Sequence, residues 1–274
     1  MTTANARVPL DINISRVDQQ ARQHWFSRWR RHYGLPDFYC VLDVATTGLD
    51  PAEDLIVELG LCCVHRGAVQ IRVQLPLNWT KEATIDQPWL RRRLARTAEA
   101  VERSRGRPTS RKYPFDYESL ADAEQSPQEA LDMFWGVIEP LQDAGCCFVA
   151  HNGWAFDLPF LAAHFQRWLS RTWKVPENQF LDLAVLEKAS QCDVFPWEDE
   201  SLSEFWERAR QSRQTAVHWS LYEHCLPTFR LRERHDLSGL LEHHAGFDAY
   251  LGHLLLEDYC RWATGDRLPT GVAC

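Results

Sequence analysis

The sequence predicts an α/β domain with a mixed β-sheet and helices on its faces. Three strand candidates come first, at residues 38–43, 55–64 and 69–75, and a tight turn at 65–68 joins the last two into an antiparallel meander. From residue 126 onward, short apolar strands alternate with helical patterns. Strands followed by such an alternation are typical of an α/β domain with a mixed sheet.

The other elements follow from local signals along the chain. A helical arm is predicted at 8–33, and Ser126-Pro127 starts a later helix because proline favours the first helical position. The further elements are strand 146–150, helix 156–169, a strand end that runs into a helix at 180–188, helix 201–210 and a last helix at about 246–263. Residues 77–125 are polar and basic, which predicts an insertion that is part helix and part mobile loop.

Charge is distributed unevenly along the chain. A net charge of −8 argues against binding of nucleic acid through the overall field. Residues 91–112 nevertheless hold nine basic side chains against two acidic ones. Such a segment either contacts phosphates or is a solvated insertion, and we favour phosphate contact. The candidate contacts are Arg91, Arg92, Arg93, Arg96, Arg111 and Lys112.

The composition also indicates the cellular compartment in which we expect the protein. No apolar run approaches the roughly 20 residues of a membrane span, so we expect no membrane partner. The first residues lack the charged-then-apolar pattern of a signal peptide, and we therefore expect a cytoplasmic protein. The nine cysteines show no C-x-x-C spacing, which favours small core residues over zinc ligands or a disulfide framework.

Three short segments each place an acid beside residues that shape the backbone. The first runs from Asp43 to Gly48, the second from His151 to Asp157 and the third from His243 to Asp248. Each has a structural interpretation when taken alone, as a turn cap, as helix N-terminal stabilisation or as a structural His–Asp pair. Their order along the chain carries more information than any one of them.

In this order the segments resemble the motifs of the DEDDh exonucleases, a family that includes polymerase proofreading subunits and the Trex enzymes. The patterns are Asp-x-x-Thr-Thr-Gly, His-Asn-x-x-x-Phe-Asp and His-x-Ala-x-x-Asp-Ala, and the second is most similar to the Trex branch. The resemblance spans about residues 38–262 and implies an RNase H-like fold with a five-stranded mixed sheet flanked by helices. The predicted organisation is an arm at 1–36, an exonuclease domain at 37–265 with the basic insertion 77–125, and a tail at 266–274.

The resemblance also implies a mechanism. Hydrolysis of a phosphodiester adds negative charge to the phosphoryl oxygens and the leaving 3′-oxygen, and two Mg²⁺ or Mn²⁺ ions about 4 Å apart stabilise that charge. Such ions prefer oxygen ligands. By resemblance, Asp43 bridges both ions, Asp248 ligates the ion that activates water and Asp157 ligates the other. His243 is implied as the general base, with the adjacent His244 as the less well-spaced alternative.

The implied substrate is the 3′ end of a nucleic acid, and DNA with a single-stranded end is favoured over RNA. The residues expected to approach the terminal nucleotide are Thr46, Thr47, Gly48, Leu49, Asn152 and Trp154. Trp154 either stacks on a terminal base or packs beneath the site. A homodimer or a place in a larger complex is also expected from the resemblance.

The sequence departs from the family pattern at Ala45, where a glutamate is expected. Alanine has no ligand oxygen, so the water-activating ion should bind weakly and the chain end should be held less firmly. An engineered inactivation and a natural pseudo-nuclease that only binds nucleic-acid ends both explain the alanine. The intact Asp43, Asp157, His243 and Asp248 favour engineering. In either case we predict slow cleavage or none.

Overall fold

The computed structural model describes residues 16–34, 36–104, 113–211, 237 and 244–264. Its centre is a five-stranded mixed sheet in the order β3-β2-β1-β4-β5. The strands are β1 Phe38–Thr46, β2 Ile56–His65, β3 Ala68–Pro76, β4 Cys147–Ala150 and β5 Phe180–Asp182. The first three pair antiparallel, whereas β4 is parallel to β1 and β5 is parallel to β4. The predicted α/β class with a five-stranded mixed sheet is confirmed.

The hairpin between β2 and β3 turns at Arg66 and Gly67, whose φ angles of 51° and 76° are both positive. Two consecutive positive φ angles are the mark of a type I′ turn, whose twist matches that of the flanking strands. The predicted tight turn at 65–68 is therefore confirmed. It sets the register between β2 and β3, in which His65 pairs with Ala68.

Helices cover both faces of the sheet. They are α1 Arg16–Tyr33, α2 Gln87–Ser104, α3 Tyr117–Ala121, α4 Pro127–Asp143, α5 Asp157–His164, α6 Leu183–Gln191, α7 Leu202–Gln211 and α8 Ala245–Thr264, with 3₁₀ turns at Trp79–Lys81 and Glu177–Gln179. Alternate residues of β1 face the two cores: Tyr39 and Val41 pack with α1, α6, α7 and α8, whereas Cys40 and Leu42 pack with α2 to α5. Asp43 and Ala45 continue the face that α8 covers.

The N-terminal helix is part of the main body. Its predicted range of 8–33 is observed over 16–33, and residues 8–15 lie outside the described residues. Trp25, Phe26 and Trp29 are buried. Phe26 stacks on Tyr259 of α8 with ring centroids 4.3 Å apart, and Trp25 Nε1 donates to the Val194 carbonyl at 2.9 Å. The aromatic side of α1 thus packs against the longest helix of the fold.

The basic insertion also contributes to the core. It forms α2 and α3, and residues 105–112 between these helices lie outside the described residues. Trp79, Leu90, Leu94 and Phe115 are buried beneath these helices. The apolar positions of the insertion are too widely spaced to predict this packing from periodicity.

Most remaining boundaries match the predictions to within one or two residues. Ser126 caps α4 through a capping box with Glu129, which confirms the predicted start. The predicted helix 156–169 is observed as α5 followed by a π-helical turn at Phe165–Leu169. Of the described cysteines, four are buried, as predicted for core residues (Cys40, Cys62, Cys63 and Cys146), and three are half-buried (Cys147, Cys192 and Cys260). Within the described residues, no helix is both long and apolar enough to cross a membrane.

Candidate active site

Asp43 lies near the end of β1, half-buried, on the face that α8 covers. Burial raises the pKa of the Asp43 carboxyl well above its usual range, and the nearby Asp248, Asp157 and Glu58 raise it further. Among the described residues, the charges that act on Asp43 are thus carboxylates. Such crowding of like charges in a desolvated site is a recognised sign of a functional cluster.

Asp157 connects the second motif to the first. It begins α5, is 1 % exposed, and its Oδ1 accepts a hydrogen bond of 2.9 Å from the backbone N–H of Val44. Burial raises the pKa of Asp157 to about 7; the Val44 hydrogen bond opposes this rise and the charge of Asp182 adds to it. The start of α5 is therefore fixed directly beside the residue that follows Asp43.

Asp248 lies in the first turn of α8. Two glycines allow the first turn of α8 to pack closely against the sheet. A Cβ on Gly60 of β2 would collide with the backbone carbonyl of Ala245, and a Cβ on Gly246 would come within 2.6 Å of the Gln74 Cβ. The small residues of the third motif thus admit the sheet at close range. Asp248 therefore lies close enough to Asp43 for its charge to raise the pKa of that residue, and both line one cleft.

A cleft of about 1280 Å³ opens beside these acids. Its lining comes from three parts of the chain: Asp43, Ala45 and Asp248 at the acids, the segment 46–51, and α2. The residues that line it are Asp43, Val44, Ala45, Thr46, Gly48, Leu49, Asp50, Pro51, Asp54, Arg93, Arg96, Thr97, Glu99, Ala100, Val101, Tyr113, Phe156 and Asp248. The predicted substrate residues of the first motif, apart from Thr47, therefore line the same cleft as two of the predicted acids.

The segment after β1 is held in place by the insertion. The Tyr113 hydroxyl donates to the Thr46 carbonyl at 2.6 Å, and the Thr97 hydroxyl donates to the Thr47 carbonyl. The Thr47 hydroxyl in turn donates to Asp54 at 3.1 Å. These contacts fix the loop without involving any residue of the acid cluster.

Four arginines in the first three turns of α2 differ in their partners. Arg93 forms two hydrogen bonds with the buried Asp54, at 2.5 and 2.7 Å. Arg91 pairs with Glu118 at 2.7 Å and lies over the Tyr117 ring, and Arg92 reaches Asp86 at 3.8 Å. Arg96 is exposed and lines the cleft, and none of the described acids pairs with it. The other candidate phosphate contacts, Arg111 and Lys112, lie outside the described residues.

Asn152 and Trp154 lie in the turn between β4 and α5, and neither lines the cleft. Their backbone N–H groups donate to Asp182 at 3.0 and 3.1 Å. Asp182 also caps α6, so these contacts give it a structural role. The Trp154 ring packs edge-on against Phe180, with centroids 4.7 Å apart. Of the two predicted roles for Trp154, these contacts correspond to packing.

His243 lies outside the described residues, whereas His244 is described. His244 Nδ1 lies 2.9 Å from the Glu58 carboxylate, and its ring packs edge-on against Phe115. Glu58 was missed by the sequence analysis. It is 1 % exposed and stands directly across the antiparallel β1–β2 pair from Ala45. The available signal was a single acid within an otherwise apolar strand.

The site suits a hard divalent cation by its donor chemistry. Within the described part of the chain, no three His, Cys, Asp or Glu side chains are gathered into a ready-made metal-binding group. Mg²⁺, however, usually binds through one or two carboxylates together with water and substrate phosphates. The mutual repulsion that raises the pKa of Asp43 is the kind of repulsion that a cation relieves. The carboxylates present therefore fit such an ion.

Comparison with known proteins identifies the fold. No protein-family model matches the chain, and no curated protein matches it in sequence. E. coli exonuclease I in complex with a dA16 oligonucleotide is similar in structure, with a TM-score of 0.51 and 14% identity over 82% of this chain and 41% of that chain. E. coli exonuclease I in complex with a 5cy-dT13 oligonucleotide gives a TM-score of 0.50 and 13% identity over 84% of this chain and 42% of that chain.

The chain thus spans about two fifths of the exonuclease I structures that it resembles. At this level of identity the likeness defines the fold, which is the RNase H-like α/β fold found in exonucleases. The implied fold is confirmed.

Proposed function

We propose that the chain carries the active site of a metal-dependent 3′→5′ exonuclease of DEDDh type, silenced by Ala45. The observation that carries this proposal is the position of Asp43. It faces a large cleft, and the charges that raise its pKa come from Asp248, Asp157 and Glu58. An acid that is desolvated and surrounded by other acids is costly to ionise unless a bound cation compensates its charge.

Two Mg²⁺ or Mn²⁺ ions, when bound, would neutralise charge on the phosphoryl group and on the leaving oxygen. Asp43, Asp157 and Asp248 would hold them. The segment from Thr46 to Leu49, which also lines the cleft, would position the terminal nucleotide. His243 would accept the proton of the attacking water. The bond between His244 and Glu58 supports this choice, because it commits His244 to a structural contact.

The proposed substrate is the 3′ end of single-stranded DNA. Arg96 lines the same cleft as Asp43 and Asp248, and its guanidinium group would contact a backbone phosphate. The structures of E. coli exonuclease I named above hold dA16 and 5cy-dT13 oligonucleotides. By extension, one DNA strand would lie in the cleft that Asp43, Asp248 and α2 line in this chain.

Ala45 favours a second function for the chain as it stands. Its methyl group lines the cleft where the resemblance expects a carboxylate. A site with the remaining acids but without this one would bind a nucleic-acid end and release it uncut. We therefore propose that the unchanged chain acts as an end-binding protein, alone, as a homodimer or within a larger complex.

The test is restoration of the acid. Ala45→Glu should give Mg²⁺-dependent release of mononucleotides from a 3′-labelled single strand of DNA, with weaker release from duplex DNA and RNA. Ala45→Gln is the matched control, because it adds the same length without the charge and should remain inactive. No release from any of the three substrates would contradict the nuclease proposal. Preferential release from RNA would identify an exoribonuclease instead.

A further inference from the structure

Glu58 is an acid in the middle of a buried strand, and none of the three motifs includes it. It pairs in register with Ala45, and Gly60, two residues further along β2, pairs with Asp43. Residues directly opposite each other in an antiparallel pair point to the same face of the sheet. Glu58 therefore shares the face of Asp43, and it is one of the charges that act on that residue.

The Glu58 carboxylate receives three hydrogen-bond donors. Its Oε2 accepts a bond of 2.6 Å from the backbone N–H of Ala245, and its Oε1 lies 2.9 Å from His244 Nδ1 and 3.0 Å from Gln74 Nε2. Ala245 is the first residue of α8. The first N–H groups of a helix have no partner within the helix, and a carboxylate placed there satisfies one of them and interacts favourably with the helix dipole.

The hydrogen bonds of Glu58 hold the first turn of α8 at a place where that turn is packed tightly against β2. The Ala245 carbonyl occupies the space that a side chain on Gly60 would need, so the helix start rests directly on β2. Asp248 lies three residues after Ala245, on the adjacent part of the same helical surface. A shift of the first turn of α8 would therefore change the separation between Asp248 and Asp43.

We infer that Glu58 is a positioning residue, which anchors the start of α8 to β2 and so sets Asp248 against Asp43 for a shared divalent cation. This inference rests on the proposed function, because it assumes that these two acids bind the ion. Glu58 itself is not a ligand in this arrangement, since both of its oxygens are engaged by the helix start and its neighbours. Its role resembles that of outer groups that orient metal ligands elsewhere.

The chain offers a matched control at Glu187. This second glutamate is fully buried and accepts a hydrogen bond from Tyr259, which belongs to the same helix α8. Tyr259 lies 11 residues beyond Asp248 along the helix. Glu187→Gln should therefore lower stability through α8 without moving the helix start, whereas Glu58→Gln should disturb both.

The experiment measures Mn²⁺ binding by electron paramagnetic resonance in the unchanged full chain and in Glu58→Gln, Glu187→Gln and Asp43→Asn. We expect Glu58→Gln to weaken Mn²⁺ affinity by about tenfold or more, the scale typical of outer groups around metal ligands. Glu187→Gln should leave the affinity unchanged. Hydrogen exchange followed by mass spectrometry should show faster exchange at 244–248 in Glu58→Gln alone.

The two ideas fail in different ways. If the unchanged chain binds no Mn²⁺, or if Asp43→Asn does not weaken binding, the metal site of the proposed function is wrong, and the inference about Glu58 is wrong with it. If Asp43→Asn abolishes binding but Glu58→Gln has no effect, or has only the effect of Glu187→Gln, the metal site stands and the positioning role of Glu58 is overturned. A tenfold loss confined to Glu58→Gln, with faster exchange at 244–248, supports the inference.

Discussion

Asp54 and Asp43 are two acids on the border of one cleft, and their surroundings differ. Burial tends to raise the pKa of Asp54, but hydrogen bonds from Arg93 and from the Asp50 backbone outweigh it, so that the pKa lies below its usual value. Burial also raises the pKa of Asp43, and there the neighbouring charges are carboxylates that raise it further. A buried acid with a fitted cationic partner holds a loop in place. A half-buried acid among other acids, at the edge of a cleft, is poised for an external cation.

The largest expected effect is a difference in the free energy of unfolding between substitutions of these two acids. Asp54→Asn should destabilise the protein by about 2–3 kcal/mol, because it weakens a buried pair whose arginine is only partly exposed. Asp43→Asn should leave stability unchanged or raise it by on the order of 1 kcal/mol, because it removes one of several repelling charges. Urea unfolding in EDTA measures both.

Asp132→Asn serves as the control for that comparison. Asp132 pairs with Arg171 at 2.7 Å, and both side chains are exposed, so its loss should cost less than about 1 kcal/mol. Equal destabilisation by Asp54→Asn and Asp43→Asn would contradict the contrast between the two acids.

The pH dependence of stability should show the same contrast. An acid with a raised pKa in the folded state binds its proton more tightly when folded, so its contribution to stability is present at low pH and lost as the pH rises. For Asp157, the free energy of unfolding should fall between about pH 4 and pH 7. Asp157→Asn, which keeps an oxygen for the Val44 N–H, should flatten this slope.

The lowered pKa of Asp54 acts in the opposite direction. Its contribution is present above its ordinary pKa of 3.8 and is lost as the pH falls below that value. Chemical unfolding at pH values from 3 to 8, without divalent ions, tests both signs. A slope between pH 4 and 7 that is the same in the unchanged chain and in Asp157→Asn would argue against the raised pKa of Asp157.

The effect of Ala45→Glu on stability should depend on the cation. The new carboxylate would stand directly across from Glu58, and like charges at such positions repel. We expect a loss of about 0.5–1 kcal/mol in EDTA, which Mg²⁺ reverses by binding the folded state. Ala45→Gln should show neither the loss nor the reversal when thermal unfolding is followed in EDTA and in Mg²⁺.

The smallest effect concerns Arg96. Arg96→Ala should weaken binding of a labelled single-stranded oligonucleotide several-fold and reduce the slope of log affinity against log salt by about 0.7, because one phosphate contact is lost. Arg92→Ala makes the same charge change outside the cleft and should have less effect. Fluorescence anisotropy at several salt concentrations measures both, and equal losses would show that only net charge matters.

The sequence predicted the features that depend on local pattern. The strands follow from apolar runs and the start of α4 from Ser126-Pro127, and each needs only neighbouring residues. The order of the three motifs led to Asp43, Asp157 and Asp248, of which the structure brings two to one cleft and ties the third to the backbone of β1.

The features that sequence analysis missed depend on register and on distant packing. Glu58 became significant only when the strand register placed it across from Ala45. Arg93 belongs to a basic run, but its partner Asp54 lies 39 residues earlier in the chain. The burial of Phe115 against His244 likewise joins segments far apart in sequence. No local periodicity encodes such pairs, since tertiary packing determines them.

The most direct test of the central claim is 3′-end cleavage by Ala45→Glu with and without Asp43→Asn. We predict that Ala45→Glu releases mononucleotides from a 3′-labelled single strand only when Mg²⁺ is present, and that adding Asp43→Asn or EDTA abolishes the release. Release that persists in the double variant, or that does not need the cation, would contradict the account, because it would place the chemistry outside the acid cluster beside β1.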